Sequence, residues 1–302
     1  GHLPEPVLTA FAAVDPRDLV NDLRRERTSA RQRRVVHAHA SVRAVVDRLL
    51  VDAGRRGVRL PSLSALVASN RPSMIDNWAR LLDAQDYPDL EVVACLHGDD
   101  FTEADEARAR ELLGDRISIH RVPADQTLGD ALNTAVEHAS GDVLVKWDDD
   151  DLYDTAHLAD LIHAREYSGA TLVGKAPEFT YLAGLDVTVR RLKTTAEGFS
   201  PTIGGPTLCI GRSDLRDIGG WRRSRRRVDS LLIEDVRAAG GTTYRTAGFG
   251  FVLMRAAAGR HSHTWAAGDD YFLSRSVDQR PGLDLEFAGI TAPADVVERW
   301  SS

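Results

Sequence analysis

The sequence has 302 residues, enough for one large α/β domain with an extension or for two small domains. Its 43% hydrophobic and 27% charged residues are ordinary for a soluble globular chain, and a net charge of −7 gives no general reason to expect nucleic-acid binding. No apolar run approaches the roughly 18–20 residues that span a bilayer, and no signal-peptide pattern opens the chain, so a cytoplasmic location is the expectation.

The first residues differ from the rest. Pro16 to Arg34 carries seven arginines against three acids. Val42, Val45, Val46, Leu49 and Leu50 then mark one helix face, stopped at Ala53-Gly54, a glycine C-cap. Residues 1–58 read as a helical extension. Its arginines suit a solvated helix face, or a contact with an anionic lipid surface or a partner, including a second copy of the chain.

An α/β pattern occupies 59–302. Leu63 to Ala68 fits a buried strand, broken at Ser69-Asn70-Arg71-Pro72. Met74, Ile75, Trp78, Leu81 and Leu82 mark a helix face. Glu91 to Leu96 is a second buried strand, ended by His97-Gly98-Asp99-Asp100; Cys95 lies inside it as a core thiol. Thr102 with Asp105 forms a capping box for a helix ending at Gly114. Ile117 to Val122 alternates as a third strand. Leu128, Leu132, Ala135, Val136 and Ala139 make another helix face, and Val143 to Trp147 a fourth strand. A helix over about 155–167 and a strand at 170–173 follow.

The second half is less regular. Gly204-Gly205-Pro206 leads into a strand-like run, Thr207 to Ile210, which holds Cys209; neither cysteine suggests a disulfide framework. Gly219-Gly220-Trp221 marks a turn, and Arg222 to Arg227 holds five arginines and one serine. A helix over about 229–239 ends at Gly240-Gly241, and strand-like residues return at 242–244 and 249–253.

Strands alternating with helices imply a mainly parallel twisted sheet flanked by helices. Ligands of such sheets bind at the carboxyl ends of the strands. The loops Ser69–Pro72, His97–Asp100 and Asp148–Asp151 all follow strands, so they should gather along one edge. Asp148-Asp149-Asp150-Asp151 is the feature with chemical content. Four adjacent carboxyls repel and raise one another's pKa. A divalent cation relieves that repulsion, and carboxylate oxygens suit Mg²⁺ or Mn²⁺, which keep room for phosphates. A solvated acidic turn or helix N-cap is the other reading.

Residues 60–265 resemble the GT-A-fold (Rossmann-like) glycosyltransferases, in particular the inverting family 2-like group. The resemblance rests on Leu66-Val67-Ala68-Ser69-Asn70-Arg71-Pro72, on Gln85-Asp86-Tyr87-Pro88 with Glu91-Val92-Val93, and on Leu128-Gly129, Ala131-Leu132-Asn133 and Ala139-Ser140-Gly141-Asp142. Lys146-Trp147-Asp148-Asp149-Asp150-Asp151 falls where that group has its D-x-D motif. It implies a nucleotide-sugar-binding half, 59–175, and an acceptor-binding half, 176–302.

It also implies roles. Ser69, Asn70, Arg71, His97, Asn133, Lys146, Asp148 and Asp149 would bind a nucleotide-sugar donor, with UDP-sugar expected. Asp148, Asp150 and a late His263 would hold Mn²⁺ or Mg²⁺. Asp229, opening the helix before Gly240, would be the general base, with Glu234-Asp235 as rival. Trp221 would face a carbohydrate or a lipid- or phosphate-linked acceptor. The chain departs from the group at Leu96-His97-Gly98, where a carboxylate pair usually helps to read the base. Two other readings are a sugar nucleotidyltransferase, against which the glycine-free Ser69–Pro72 loop counts, and a non-catalytic carbohydrate-binding or assembly subunit, against which the intact acid cluster counts.

Overall fold

The computed structural model describes every residue except 1–2, 17, 19–21, 192–196, 257–266 and 302. It contains two compact units, Gly1–Leu60 and Pro61–Ser302. The first is helical: α1 (Glu5–Ala12) packs on α2 (Asp22–Ala40), and α2 on α3 (Val42–Asp52). The Ser41 hydroxyl caps α3 by accepting from Ala44 N at 3.2 Å. Gly54, with φ 68°, follows the end of α3. α2 buries none of its described side chains. On α3 the apolar stripe Val42, Val45, Val46 and Leu49 is exposed. No helix among the described residues is long and apolar enough to cross a membrane.

The second unit holds two sheets. The strands are β1 (Leu63–Ser69), β2 (Leu90–His97), β3 (Ile117–Val122), β4 (Val143–Trp147), β5 (Leu152–Tyr153), β6 (Leu172–Lys175), β7 (Phe179–Leu182), β8 (Val187–Arg191), β9 (Gly198–Phe199), β10 (Cys209–Gly211), β11 (Thr243–Thr246), β12 (Phe251–Arg255) and β13 (Ser276–Pro281). The large sheet runs β3-β2-β1-β4-β10-β6-β11-β9. Its first four strands are parallel, and β10 enters antiparallel to both β4 and β6. The connecting helices are α4 (Ile75–Asp83), α5 (Glu103–Leu113), α6 (Leu128–His138) and α7 (His157–Ser168); α8 (Arg212–Asp217) and α9 (Val228–Ala238) follow β10.

Hydrophobic periodicity explains the packing. Leu66 of β1, Val93 and Cys95 of β2 and Leu144 of β4 share one core with Leu132 and Ala135 of α6, Leu215 of α8, and Leu232 and Val236 of α9. Burial pushes the thiols of Cys95 and Cys209 up to about 12, and both are free. The capping box at Thr102 and Asp105 is present, and Thr127 with Asp130 repeats it at α6. The strand expected at 170–173 starts at Leu172, because the left-handed Gly169 (φ 65°) closes α7 and two residues are spent returning to the sheet.

The amino ends of the strands are held by Glu91. Its carboxylate accepts from Ser140 N at 2.5 Å, Ser140 Oγ at 2.8 Å, Gly141 N at 3.0 Å and Ser64 Oγ at 2.5 Å. Burial opposes ionisation of Glu91, yet these donors hold its pKa below the usual carboxylate value. Gly141 lies so close to Ser64 that a Cβ would strike the Ser64 backbone and hydroxyl.

The second sheet runs β13-β8-β7-β12-β5. Of its strands only β12 corresponds to a run read as strand-like in the sequence. β5 is two residues long and pairs with β12 about a hundred residues later, through Tyr153 opposite Phe251 and Leu152 opposite Val252. This pairing places the turn 148–151 between the two sheets.

Candidate active site

The carboxyl ends of β1, β2 and β4 open on a cleft of about 840 Å³. It is lined by Asn70, Arg71, His97, Lys146 and Asp148–Asp151, together with Gly204–Pro206 and Arg225–Ser230. Three strand-end loops therefore meet, as the parallel topology requires. From the second of these loops the cleft takes His97, whose Nε2 lies 3.1 Å from Gln126 O; Asp99 and Asp100 are outside the lining.

The acidic turn is fixed from below. The Asn77 side chain of α4 donates to Asp149 O at 2.8 Å and to Asp151 O at 3.3 Å. Tyr153 accepts from Asp148 N at 3.0 Å and donates to Pro206 O at 3.2 Å. Its ring stacks on Trp147, with centroids 3.8 Å apart. Asp151 is 1% exposed, and its Oδ1 accepts from Met254 N of β12 at 2.8 Å. Burial, with Asp150 and Asp148 close by, raises its pKa well above the usual carboxylate value.

Two basic side chains divide the remaining carboxylates. Arg71 pairs with Asp149, which also accepts from Ser69 Oγ, and reaches Asp150 Oδ2 with Nη1 at 2.7 Å. Burial works against its charge, but Asp149 and Asp150 hold its pKa above the ordinary arginine value. Lys146 is 3% exposed, with Nζ at 2.5 Å from Asp148 and 3.1 Å from Asp229 Oδ1. Burial opposes this charge too, and Asp148 and Asp229 outweigh it. Asp148 is raised to about 6, first by burial and further by Asp229 and Asp150, with Lys146 opposing.

Asp229 reaches this cluster from the second half of the chain. Arg227, in the left-handed region at φ 60°, turns the backbone into α9 and sets Asp229 in its first turn. The helix N-terminus favours a carboxylate there. Position 205 faces it, and a Cβ at Gly205 would fall on the Asp229 carboxylate. The rival acids point elsewhere: Asp235 pairs with Arg222, and Glu234 with Arg227 at 2.8 Å.

Other expected site residues lie apart from the cleft. Ser69 is buried beneath it and acts on Asp149. Asn133 spends its side chain on the Trp221 backbone, donating to Trp221 O and accepting from Trp221 N, both at 2.8 Å. Trp221 is 3% exposed and packs in the main core, which leaves its ring unavailable for stacking on a sugar. His263 falls outside the described residues. Gly205, Arg191 and Arg255 line the cleft without a sequence signal that marks them as site residues.

Among the described residues no group of three or more His, Cys, Asp or Glu side chains is arranged to hold a metal. The charges nevertheless suit one. The carboxylates of Asp148, Asp149, Asp150 and Asp229, gathered around Lys146 and Arg71, form an oxygen donor set of the kind that suits Mn²⁺ or Mg²⁺.

Residues 66–191 match the sequence profile of glycosyl transferase family 2. No curated protein gives a significant match. Among solved structures, S. aureus TarS aligns at 14% identity and TM-score 0.50, over 64% of this chain and 37% of that one. Mannosyltransferase PcManGT from Pyrobaculum calidifontis, solved with GDP-Man and Mn²⁺, aligns at 17% identity and TM-score 0.54, over 79% and 71% of the two chains. S. aureus TarS 1–349 in complex with UDP-GlcNAc aligns at 15% identity and TM-score 0.52, over 68% and 61%. At these identities the likeness is one of fold, and this chain spans well under two thirds of TarS.

Proposed function

We propose, from the premise that residues 66–191 are a GT-A, family 2-like glycosyltransferase domain, that the chain moves a sugar from a nucleoside-diphosphate sugar to an acceptor hydroxyl with inversion. The observation that carries the reading is Lys146 held between Asp148 and Asp229. It joins a carboxylate at a strand's carboxyl end to one from a helix start in the other half of the chain, across one cleft.

In this reading Asp229 accepts the proton of the acceptor hydroxyl as that oxygen bonds to the anomeric carbon. The bond from that carbon to the diphosphate oxygen breaks, and the nucleoside diphosphate leaves with the electron pair. Lys146 and the Gly205 backbone orient Asp229. Arg71, His97 and Asn70 line the donor side. Asp148 and Asp150 would hold a divalent ion, which supplies charge stabilisation to the leaving diphosphate when bound. UDP-sugar is the expected donor; complexes of the structural neighbours include both UDP- and GDP-sugars. The arginines of α2 and the exposed stripe of α3 support a contact of the N-terminal unit with a membrane face or a second copy. Vesicle co-sedimentation and analytical ultracentrifugation separate these two.

The test has two parts. Thermal shift with UDP, GDP, dTDP and CDP, with and without Mn²⁺, should show a metal-dependent rise with at least one nucleotide. Asp229→Asn should keep that rise and lose transfer by about 100-fold or more. No metal-dependent shift with any nucleotide sinks the donor reading, and near-normal turnover in Asp229→Asn removes the base. Release of pyrophosphate instead of nucleoside diphosphate would favour a nucleotidyltransferase.

A further inference from the structure

Asn77, which holds the acidic turn from below, is fully buried, so each polar atom of its amide needs a partner. Its Nδ2 donates to Asp149 O and Asp151 O, the two carbonyls that flank Asp150. Only the NH₂ end of an amide can donate. The turn is therefore held only while Nδ2, and not Oδ1, faces it. Turned end for end, the amide would set its own oxygen against two carbonyl oxygens.

Trp300 decides which end faces the turn. Its indole Nε1 donates to Asn77 Oδ1 at 3.0 Å, across 223 residues of sequence. An indole N–H is a donor only, so the amide oxygen must face it and the NH₂ must face the acids. Trp300 is partly buried and lies outside the cleft lining. It belongs to the helix Ala294–Ser301, which packs on α4. Val296 of that helix is buried, and Asp295 Oδ2 meets Arg80 Nη1 of α4 at 2.8 Å. The chain leading into this helix grips the far side of the turn. Thr291 N donates to Asp154 Oδ1 at 2.8 Å, and Thr155 N donates to Thr291 O at 3.3 Å. One segment, 291–300, thus braces the stretch 149–155 at both ends.

We propose that Trp300 is a positioning residue for Asp150. By orienting the Asn77 amide it fixes the two peptide groups on either side of the carboxylate expected to hold the divalent ion. The metal is that of the donor reading above, on which the proposal rests. Outer partners of this kind set the direction of a metal ligand, and a ligand already held in place binds the ion without first losing the freedom of its loop.

Trp300→Phe keeps an aromatic ring and removes the N–H. In hydrogen–deuterium exchange of the ligand-free full chain, the amides of 148–155 should exchange about fivefold faster or more, with β2 and β3 unchanged. The Mn²⁺-dependent affinity for the best-bound nucleoside diphosphate should fall about tenfold, while affinity without metal stays within about twofold. Asn77→Ala should show the same loss, and the double variant should lose no more than Asn77→Ala alone, because Trp300 acts through that amide. Unchanged exchange of the turn in Trp300→Phe overturns the proposal. So does unchanged metal-dependent affinity, or a double variant in which the two losses add. The parent protein gives a test that needs no variant to fold: Mn²⁺ with nucleotide should slow exchange over 291–300 as well as over 148–155, and no slowing over 291–300 overturns the proposal. If the parent binds no nucleotide, the donor reading falls, and exchange of the free turn alone decides whether Trp300 holds it.

Discussion

At the scale of single residues, the site is a contest between burial and charge. Asp151 shows it most simply. Its Oδ1 holds the start of the second sheet, and its Oδ2 is buried with no hydrogen-bond partner. A carboxyl whose folded pKa is raised contributes its stability at low pH, and that contribution declines as pH rises from the unfolded value near 4 towards the folded one. Asp151→Asn keeps the acceptor for Met254 N and removes the charge. Its melting temperature relative to the parent should therefore rise between pH 4 and pH 8. A variant that loses ground over that range would show Asp151 ionised and partnered. The run 148–151 was legible in sequence as an acid cluster at a strand end, since adjacent charges after an apolar run are conspicuous. Lys146 beside Asp148 was one alternative the sequence offered, but the partners Met254 and Asp229 lie far beyond the run and carry no local signal.

At the scale of elements, the parallel half was readable because each strand and helix declares itself locally. Ile117–Ile119 alternates and Val143–Val145 runs apolar, and Thr102 announces its helix. The second sheet was hidden for the converse reason. β5 has two residues, and β13 includes charged residues and a proline, so neither carries the usual strand signal. The same distinction separates Arg191 and Arg255 from Asn70 and Arg71: the former are placed by a sheet whose pairings span long stretches of chain. Glu91 shows what an element's far end requires. Its carboxylate gathers Ser64, Ser140 and Gly141 beneath β1 and β4. Glu91→Gln should lose about 1–2 kcal/mol at pH 7, since hydrogen bonds to a charged acceptor weaken. The depressed pKa gives the sign: the ionised form stabilises above about pH 4.3 and its contribution fades as pH falls through the folded value. The gap between parent and variant should narrow in chemical denaturation at pH 3. A gap unchanged from pH 7 to pH 3 would mean that the charge plays no part.

At the scale of the whole molecule, the cleft belongs to one unit. Every lining residue lies beyond Leu60, and so does the core around Leu66, Leu132 and Leu232. Residues 61–302 made alone should unfold in one cooperative transition and bind nucleoside diphosphate within twofold of the full chain. Loss of folding on removing residues 1–60 would show that the two units depend on each other. The antiparallel β10 has a further consequence, for biosynthesis. β4 is made early, but its neighbour on one side is not strand β5 or β6; it is β10, which emerges from the ribosome only after both. Until then the apolar run Val143–Trp147 presents an open edge, the kind of surface on which nascent chains stick to one another. Three residues, Cys209–Gly211, close it. Asp229 follows them in the chain, so a growing polypeptide has this edge of β4 covered before it acquires the residue proposed as its base.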